Sequence, residues 1–274
     1  EGVVAETVAS LEERTEVFEA DRAAAFAGRM RSLFADLKPL LLQRAAAGRV
    51  RRCHGDLHLR NIALIDDRPT LFDAIEFDES IATIDVLYDL AFLLMDLWER
   101  DLRTEAGIIL NRYLWQSEAL DEELAGLAAL PLLMALRAAV RAKVEALQFA
   151  TVSHDDALRA EARRYFDHAA DFLEPRPPRL VAIGGFSGTG KTSVSRAIAP
   201  SLGRPPGAVH LRSDIERKRQ MGVGEFDRLP EAGYARAVTD RVFAALREQA
   251  AVALAAGQSV VVDAVHKTPE ERAL

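Results

Sequence analysis

The stretch Gly185-Phe186-Ser187-Gly188-Thr189-Gly190-Lys191-Thr192 decides how the second part of this chain is read. It fits G-x-x-x-x-G-K-[ST] in full, between an apolar run, Leu180-Val181-Ala182-Ile183, and a helix-like stretch at 191–201. Strand, loop and helix in that order are the context the pattern requires. The glycines let the backbone curl until successive N–H groups, with the helix N-terminus, face an anion. Phe186, Ser187 and Thr189 complete the loop. Lys191 is then expected to reach the β and γ phosphates of a nucleotide such as ATP, and the Thr192 hydroxyl to help hold Mg²⁺.

Working outward, Ala208-Val209-His210-Leu211 and Ser259-Val260-Val261-Val262 read as two further short strands, with an Ala-rich helix at 231–256 between them. Strands alternating with helices predict a parallel sheet covered by helices. Asp214 follows the second strand, where a carboxylate points into the crevice in which open α/β sheets bind ligands. It is expected to accept a proton from an attacking hydroxyl or to hold the metal through water, or else to cap a helix, for which Ser213 is an equal candidate. Asp263 ends the third strand, and is expected to be either a Mg²⁺-associated carboxylate or a solvated strand end.

Residues 179–274 resemble the start of a P-loop kinase of the polynucleotide-kinase and zeta-toxin type. The resemblance rests on the phosphate loop and on Asp214-x-x-Arg217, like the D-x-x-R element of those kinases. It implies that Asp214 activates the acceptor hydroxyl and that Arg217 helps bind the acceptor or its phosphate. The chain stops before an arginine-bearing lid and the last strands of such a domain, so the domain is expected to be truncated.

The first part reads differently. Apolar residues recur at helical spacing over 6–27 and 29–47, then over 84–100, 104–116, 121–149 (started or kinked by Pro131) and 155–173. Between them, Ile62–Ile65, a turn at 66–69 and Thr70–Phe72 predict a β-hairpin. Ahead of the hairpin stands His54-Gly55-Asp56-Leu57-His58-Leu59-Arg60-Asn61, and Asp73 comes twelve residues after Asn61. That is the spacing of a kinase catalytic loop. Asp56 would orient or take the acceptor proton, while Asn61 and Asp73 would hold the ions that neutralise the phosphates. His54 is expected to brace the loop, and His58 to be structural or to touch substrate or metal. Arg137 and Arg141, at i and i+4, are expected on a salt-bridged surface or facing an anionic acceptor.

This stretch resembles the helical C-terminal lobe of the aminoglycoside phosphotransferase-like kinases, over roughly 20–173. His54-Gly55-Asp56 stands where protein kinases have H-R-D, and Asp89-Leu90-Ala91 resembles the D-x-A helix start that follows. The pairing of such a lobe with a P-loop kinase resembles a family of bacterial fusion proteins. Upstream of Cys53 the sequence is helix-like only, with no strand-rich lobe, no Gly-rich nucleotide loop and no V-A-I-K-like lysine. This half alone is therefore expected to transfer phosphate poorly or not at all.

The boundary between the two parts is placed at Glu174-Pro175-Arg176-Pro177-Pro178, an extended, stiff connector. Three parts are thus expected: a kinase-like helical lobe at 1–173, a linker at 174–178 and a P-loop domain at 179–274. Charge changes sign at the linker: 21 Lys and Arg oppose 32 Asp and Glu in 1–178, and 14 oppose 10 in 179–274. The mildly basic second part suits an anionic ligand and lacks the dense basic stripe of a dedicated duplex-DNA binder. The single cysteine, Cys53, excludes an internal disulfide and a cysteine-built metal cage, and fits a reducing cytoplasm. No uninterrupted apolar run is expected to span a membrane. Glu1 in place of methionine, and a helix-like start at Glu271–Leu274, lead to the expectation that the chain is a piece of a longer one.

Three functions fit these residues. One is a phosphotransferase moving the γ-phosphate of ATP to a hydroxyl, on a small molecule or a nucleic-acid 5′ end. The others are an ATPase or nucleotide-gated switch, and a nucleotide-binding module beside a degenerate kinase lobe. Asp214-x-x-Arg217 favours transfer, because a plain hydrolase needs no acceptor base there.

Overall fold

The computed structural model describes residues 1–153 and 155–266; the helix expected from Glu271 lies outside them. The elements of the first half are α1 (Gly2–Glu13), α2 (Ala20–Ala46), β1 (Val50–Arg52), β2 (Ile62–Ile65), β3 (Arg68–Leu71), α3 (Glu79–Ala82), β4 (Thr83–Asp85) and α4 (Val86–Glu99). Then come α5 (Arg103–Gln116), α6 (Leu120–Gly126), α7 (Leu130–Gln148) and α8 (Asp156–Phe172). The last part holds β5 (Leu180–Ile183), α9 (Lys191–Ile198), β6 (Val209–Arg212), α10 (Ser213–Gln220), α11 (Arg236–Ala255) and β7 (Val260–Asp263). The fold class is the expected one: a helical region with small antiparallel pairs, then a parallel sheet with helices.

Two compact units form, one of 1–102 with 128–175 and one of 103–127 with 176–274. In the first, α4, α7 and α8 carry the core, including Leu87, Leu94, Met95 and Met134. The start of the chain differs from its periodicity. The expected break near Gly28 is absent; the helix breaks instead at 14–19, where Val17 and Phe18 are buried and the Phe18 ring lies 5.1 Å from that of Phe166. Nothing crowds Gly28, so α2 runs through it and stops before Gly48, whose φ is +71°. The hairpin forms as expected. Asp66 and Asp67 both take left-handed backbone (φ 50° and 57°), the two-residue turn that matches strand twist. Strands β1 and β4, which the sequence does not announce, pair antiparallel ahead of α4.

In the second unit the sheet order is β5-β7-β6, all parallel, and Ala199, Ala208 and Val261 pack under Val181, Ile183 and Ile198. Strand β6 is an edge, and its unpaired backbone needs partners. Asn111 of α5 supplies them: its Nδ2 donates to the Ala208 carbonyl (3.2 Å) and its Oδ1 accepts from His210 N–H (2.7 Å). That pairing, together with α6 packing on α11, joins 103–127 to the sheet rather than to the helical lobe that precedes it in sequence. The helical stretch Leu120–Val152 is long and apolar enough to cross a membrane by length and composition, but 78% of its most apolar window is buried inside the protein.

Candidate functional site

In the second unit, β5 ends at Ile183 and the chain turns through Gly184–Gly190 into α9. Gly188 and Gly190 take φ of +81° and +85°, conformations an L side chain resists. Gly185 also has a positive φ, +152°, and is required for a second reason. A Cβ there would meet the Thr189 hydroxyl at 2.9 Å. Lys191 opens α9, and its ammonium folds back to donate to the Phe186 carbonyl at 2.7 Å, an anchor that keeps it over the loop. Thr189 donates to the same carbonyl at 2.8 Å. Phe186 is exposed.

Thr192, one residue further along α9, donates to Asp263 Oδ2 at 2.5 Å. Asp263 is only 4% exposed, so it is no solvated strand end. Burial pushes its pKa up, but the His210 ring, the Thr192 hydroxyl and the Arg212 charge outweigh burial and hold the carboxyl below the ordinary range. The His210 Nε2 lies 3.6 Å from Asp263 Oδ2, too long for a hydrogen bond, and acts on it through space. A hydroxyl and an ionised carboxylate side by side, next to a phosphate-shaped loop, fit the needs of Mg²⁺, which takes one or two protein oxygens and completes its shell with phosphates and water. Among the described residues no group of three or more His, Cys, Asp or Glu side chains forms a self-contained metal cage.

Asp214 and Arg217 lie in α10, which follows β6 without a loop. Neither Ser213 nor Asp214 caps it: the cap position is Arg212, with no side-chain cap. Asp214 is half-exposed and paired with Arg212 at 2.6 Å. Arg217 is buried, donating to the Gly233 carbonyl (2.7 Å) and Thr239 Oγ1 (3.0 Å) with its guanidinium over Tyr234. In this arrangement it pins the 231–239 segment and offers no arm to an acceptor, unlike the expectation.

In the first unit, Asn61 closes the loop that begins at His54, its Nδ2 donating to Asp56 Oδ2 and to the Asp56 carbonyl, both at 3.0 Å. Asp56 is also 3.2 Å from His58 Nε2. His58 accepts from Arg60 N–H and caps the short 3-10 turn at Leu59–Asn61. His54 braces the loop by a 2.9 Å hydrogen bond to the Phe72 carbonyl. Asp73 has left-handed backbone (φ 60°) in a segment held to the loop on both sides, by Phe72 N–H on the Asn61 carbonyl and Ile75 N–H on the His54 carbonyl. Gly55 has φ +83°, and a Cβ there would meet Ile75 Cδ1 at 2.9 Å.

Two acids of α4 hold this loop from below: Asp89, which the Asp89-Leu90-Ala91 resemblance already singles out, and Asp96, for which sequence reading names no role. Asp89, buried in α4, accepts from His54 N–H (3.1 Å) and Gly55 N–H (2.9 Å). Asp96, seven residues on, accepts from Leu59 N–H at 2.9 Å. Asp85 caps α4 and takes a two-pronged ion pair from buried Arg44. The signal was available: two acids inside the apolar run 87–98 must each meet donors if that helix is buried. Arg137 is buried too, its guanidinium 3.9 Å from the Tyr88 ring centre, which leaves it on neither a surface nor an acceptor face.

Residues 4–130 match the model of the phosphotransferase enzyme family, and residues 180–274 that of an AAA domain. Uncharacterized proteins of Mycobacterium bovis and Mycobacterium tuberculosis are 32% identical over 235 residues, covering 83% of this chain and 45% of each relative. The chain thus spans about half the length of the curated relatives it matches. No solved structure matches it significantly.

Proposed function

From a chain that joins a phosphotransferase-family segment to an AAA-type domain, we propose an ATP- and Mg²⁺-dependent kinase that moves the γ-phosphate of ATP to a hydroxyl acceptor at the loop of residues 185–192. The observation that carries this reading is the 2.5 Å contact between Thr192 and Asp263 beside Lys191, which gathers a hydroxyl, a carboxylate and a cation at one loop. In this mechanism the loop N–H groups and Lys191 bind the phosphates and take up the charge that grows during transfer. Thr192 and Asp263 hold Mg²⁺, which when bound neutralises the phosphate oxygens. Asp214 leaves Arg212 and takes the proton of the acceptor hydroxyl, while Arg217 acts as a positioning residue through the 231–239 segment. The acceptor is a small molecule or a nucleic-acid 5′-hydroxyl.

A second reading, a nucleotide-gated switch, draws on Asp214 being paired with Arg212 and Arg217 being buried, so that neither meets an acceptor. The two separate by the fate of γ-labelled phosphate, with Mg²⁺ and cell extract split into small-molecule and nucleic-acid fractions. Label on an acceptor, lost in Lys191→Ala and reduced in Asp214→Asn, supports the kinase. Label released only as free phosphate, unaffected by Asp214→Asn, overturns it in favour of the switch.

A further inference from the structure

The second unit contains a cavity of about 280 Å³, close to the lower end of small-ligand sites, which start at roughly 300 Å³. It lies between α5, the far end of α9 and β6. Its walls are apolar and aromatic, with Ile108 and Trp115 on one side, Pro200 on another and Phe226 at the mouth. Ile108 is 48% exposed and Phe226 is 88% exposed. Large apolar side chains left in solvent around one concavity are the usual mark of a binding surface.

The polar groups around it have one sign to spare. Arg112 and Glu225 pair with each other, and Asn111 is committed to the edge of β6. The Arg196 guanidinium has no partner among the described residues. Trp115 lies between two further guanidinium groups, Arg112 at 5.8 Å and Arg212 at 5.3 Å from its ring centre. The inner wall is the buried His210 ring, 3.6 Å from Asp263. Residues 104–115 come from the segment matching the phosphotransferase family and 196–226 from the segment matching the AAA domain. Neither segment has this cavity without the other.

We propose that this cavity is a binding site for a small anion with a flat apolar body, its charge on Arg196 and its body between Trp115 and Phe226. The site is separate from the phosphate loop and does not depend on the phosphotransfer reading. An aromatic carboxylate and a phosphorylated or sulfonated ring share the required chemistry.

The probe is 8-anilinonaphthalene-1-sulfonate, with N-phenyl-1-naphthylamine as the same body without its charge. Titrated into the full chain, the sulfonate is expected to saturate one site and to draw energy from Trp115, a transfer lost in Trp115→Phe while Trp98 remains. Arg196→Gln weakens the sulfonate about tenfold, the size of one lost charge-assisted contact, and leaves the neutral dye unchanged. Ile108→Glu, at an exposed position, weakens the sulfonate at least as much. Circular dichroism checks that both variants keep the fold. Sulfonate affinity unchanged in Arg196→Gln and Ile108→Glu, or energy transfer that persists in Trp115→Phe, overturns the proposal.

Discussion

The loop at 185–192 and the loop at 54–61 carry the same kind of residues and are built in opposite ways. The loop at 185–192 shapes itself: Lys191 and Thr189 both fasten to the Phe186 carbonyl, a few residues away, and among the described residues its one distant side-chain partner is Asp263, reached by Thr192. The loop at 54–61 is shaped from outside, since Asp89 and Asp96 of α4 accept three of its backbone N–H groups across more than thirty residues. A self-shaped loop announces itself in contiguous sequence. A loop held by a distant helix shows only half of its parts.

The largest effect expected from this contrast is chemical. Lys191→Ala removes the loop's fixed cation, and any nucleotide-dependent phosphate transfer or release by the chain should fall about a hundredfold to a thousandfold, while the urea midpoint moves little because the residue is not part of the core. A large loss of stability would mean that the loop does not shape itself. Asp89→Ala should behave the other way round. It leaves two backbone donors without an acceptor and should cost about 1–3 kcal/mol, read from urea unfolding; no change would show that the loop at 54–61 stands without α4.

Two glycines sharpen the contrast further. Gly188 and Gly55 have nearly the same φ, +81° and +83°, but no atom lies within 4 Å of a Cβ at Gly188, whereas Ile75 lies at 2.9 Å from one at Gly55. Gly188→Ala should therefore cost only the left-handed strain, about 1–2 kcal/mol, and Gly55→Ala distinctly more, because Ile75 must also move. Equal costs in thermal unfolding would contradict the packing described for the loop at 54–61.

The smallest effect is a reaction rate. Burial pushes the Cys53 thiol up to about 11, and the charges of Asp89 and Asp85 push the same way. A raised thiol pKa means less thiolate at neutral pH. Disulfide exchange with 5,5′-dithiobis(2-nitrobenzoate) should thus be slow at pH 8 and still be rising with pH at 10, and Asp89→Asn should speed it. A plateau near pH 9 would show that the loop opens readily to solvent.

Much of this was legible in the sequence. The 185–192 loop, the three parallel strands and the 62–71 hairpin each depend on neighbours in the chain: glycines that permit a turn, alternating apolar runs, two aspartates that accept left-handed backbone. What stayed hidden depends on pairing across distance. Asp89 stands out only as part of a helix-start resemblance, and Asp96 as an interruption of an apolar run, until the loop that needs them is in place. Asn111 looks like one polar residue on a helix until the bare edge of β6 lies beside it. Arg217 fits an acceptor-binding pattern, but the Gly233 carbonyl and Thr239, unseen from spacing alone, claim its guanidinium.

The central claim, that nucleotide is held by the self-shaped loop and not by the loop held from α4, is tested most directly by equilibrium binding of a fluorescent ATP analogue with Mg²⁺ to the wild-type chain, Lys191→Ala and Asp56→Ala. Lys191→Ala is expected to abolish saturable binding, and Asp56→Ala to leave the affinity unchanged. Binding that survives Lys191→Ala and disappears in Asp56→Ala would contradict the claim.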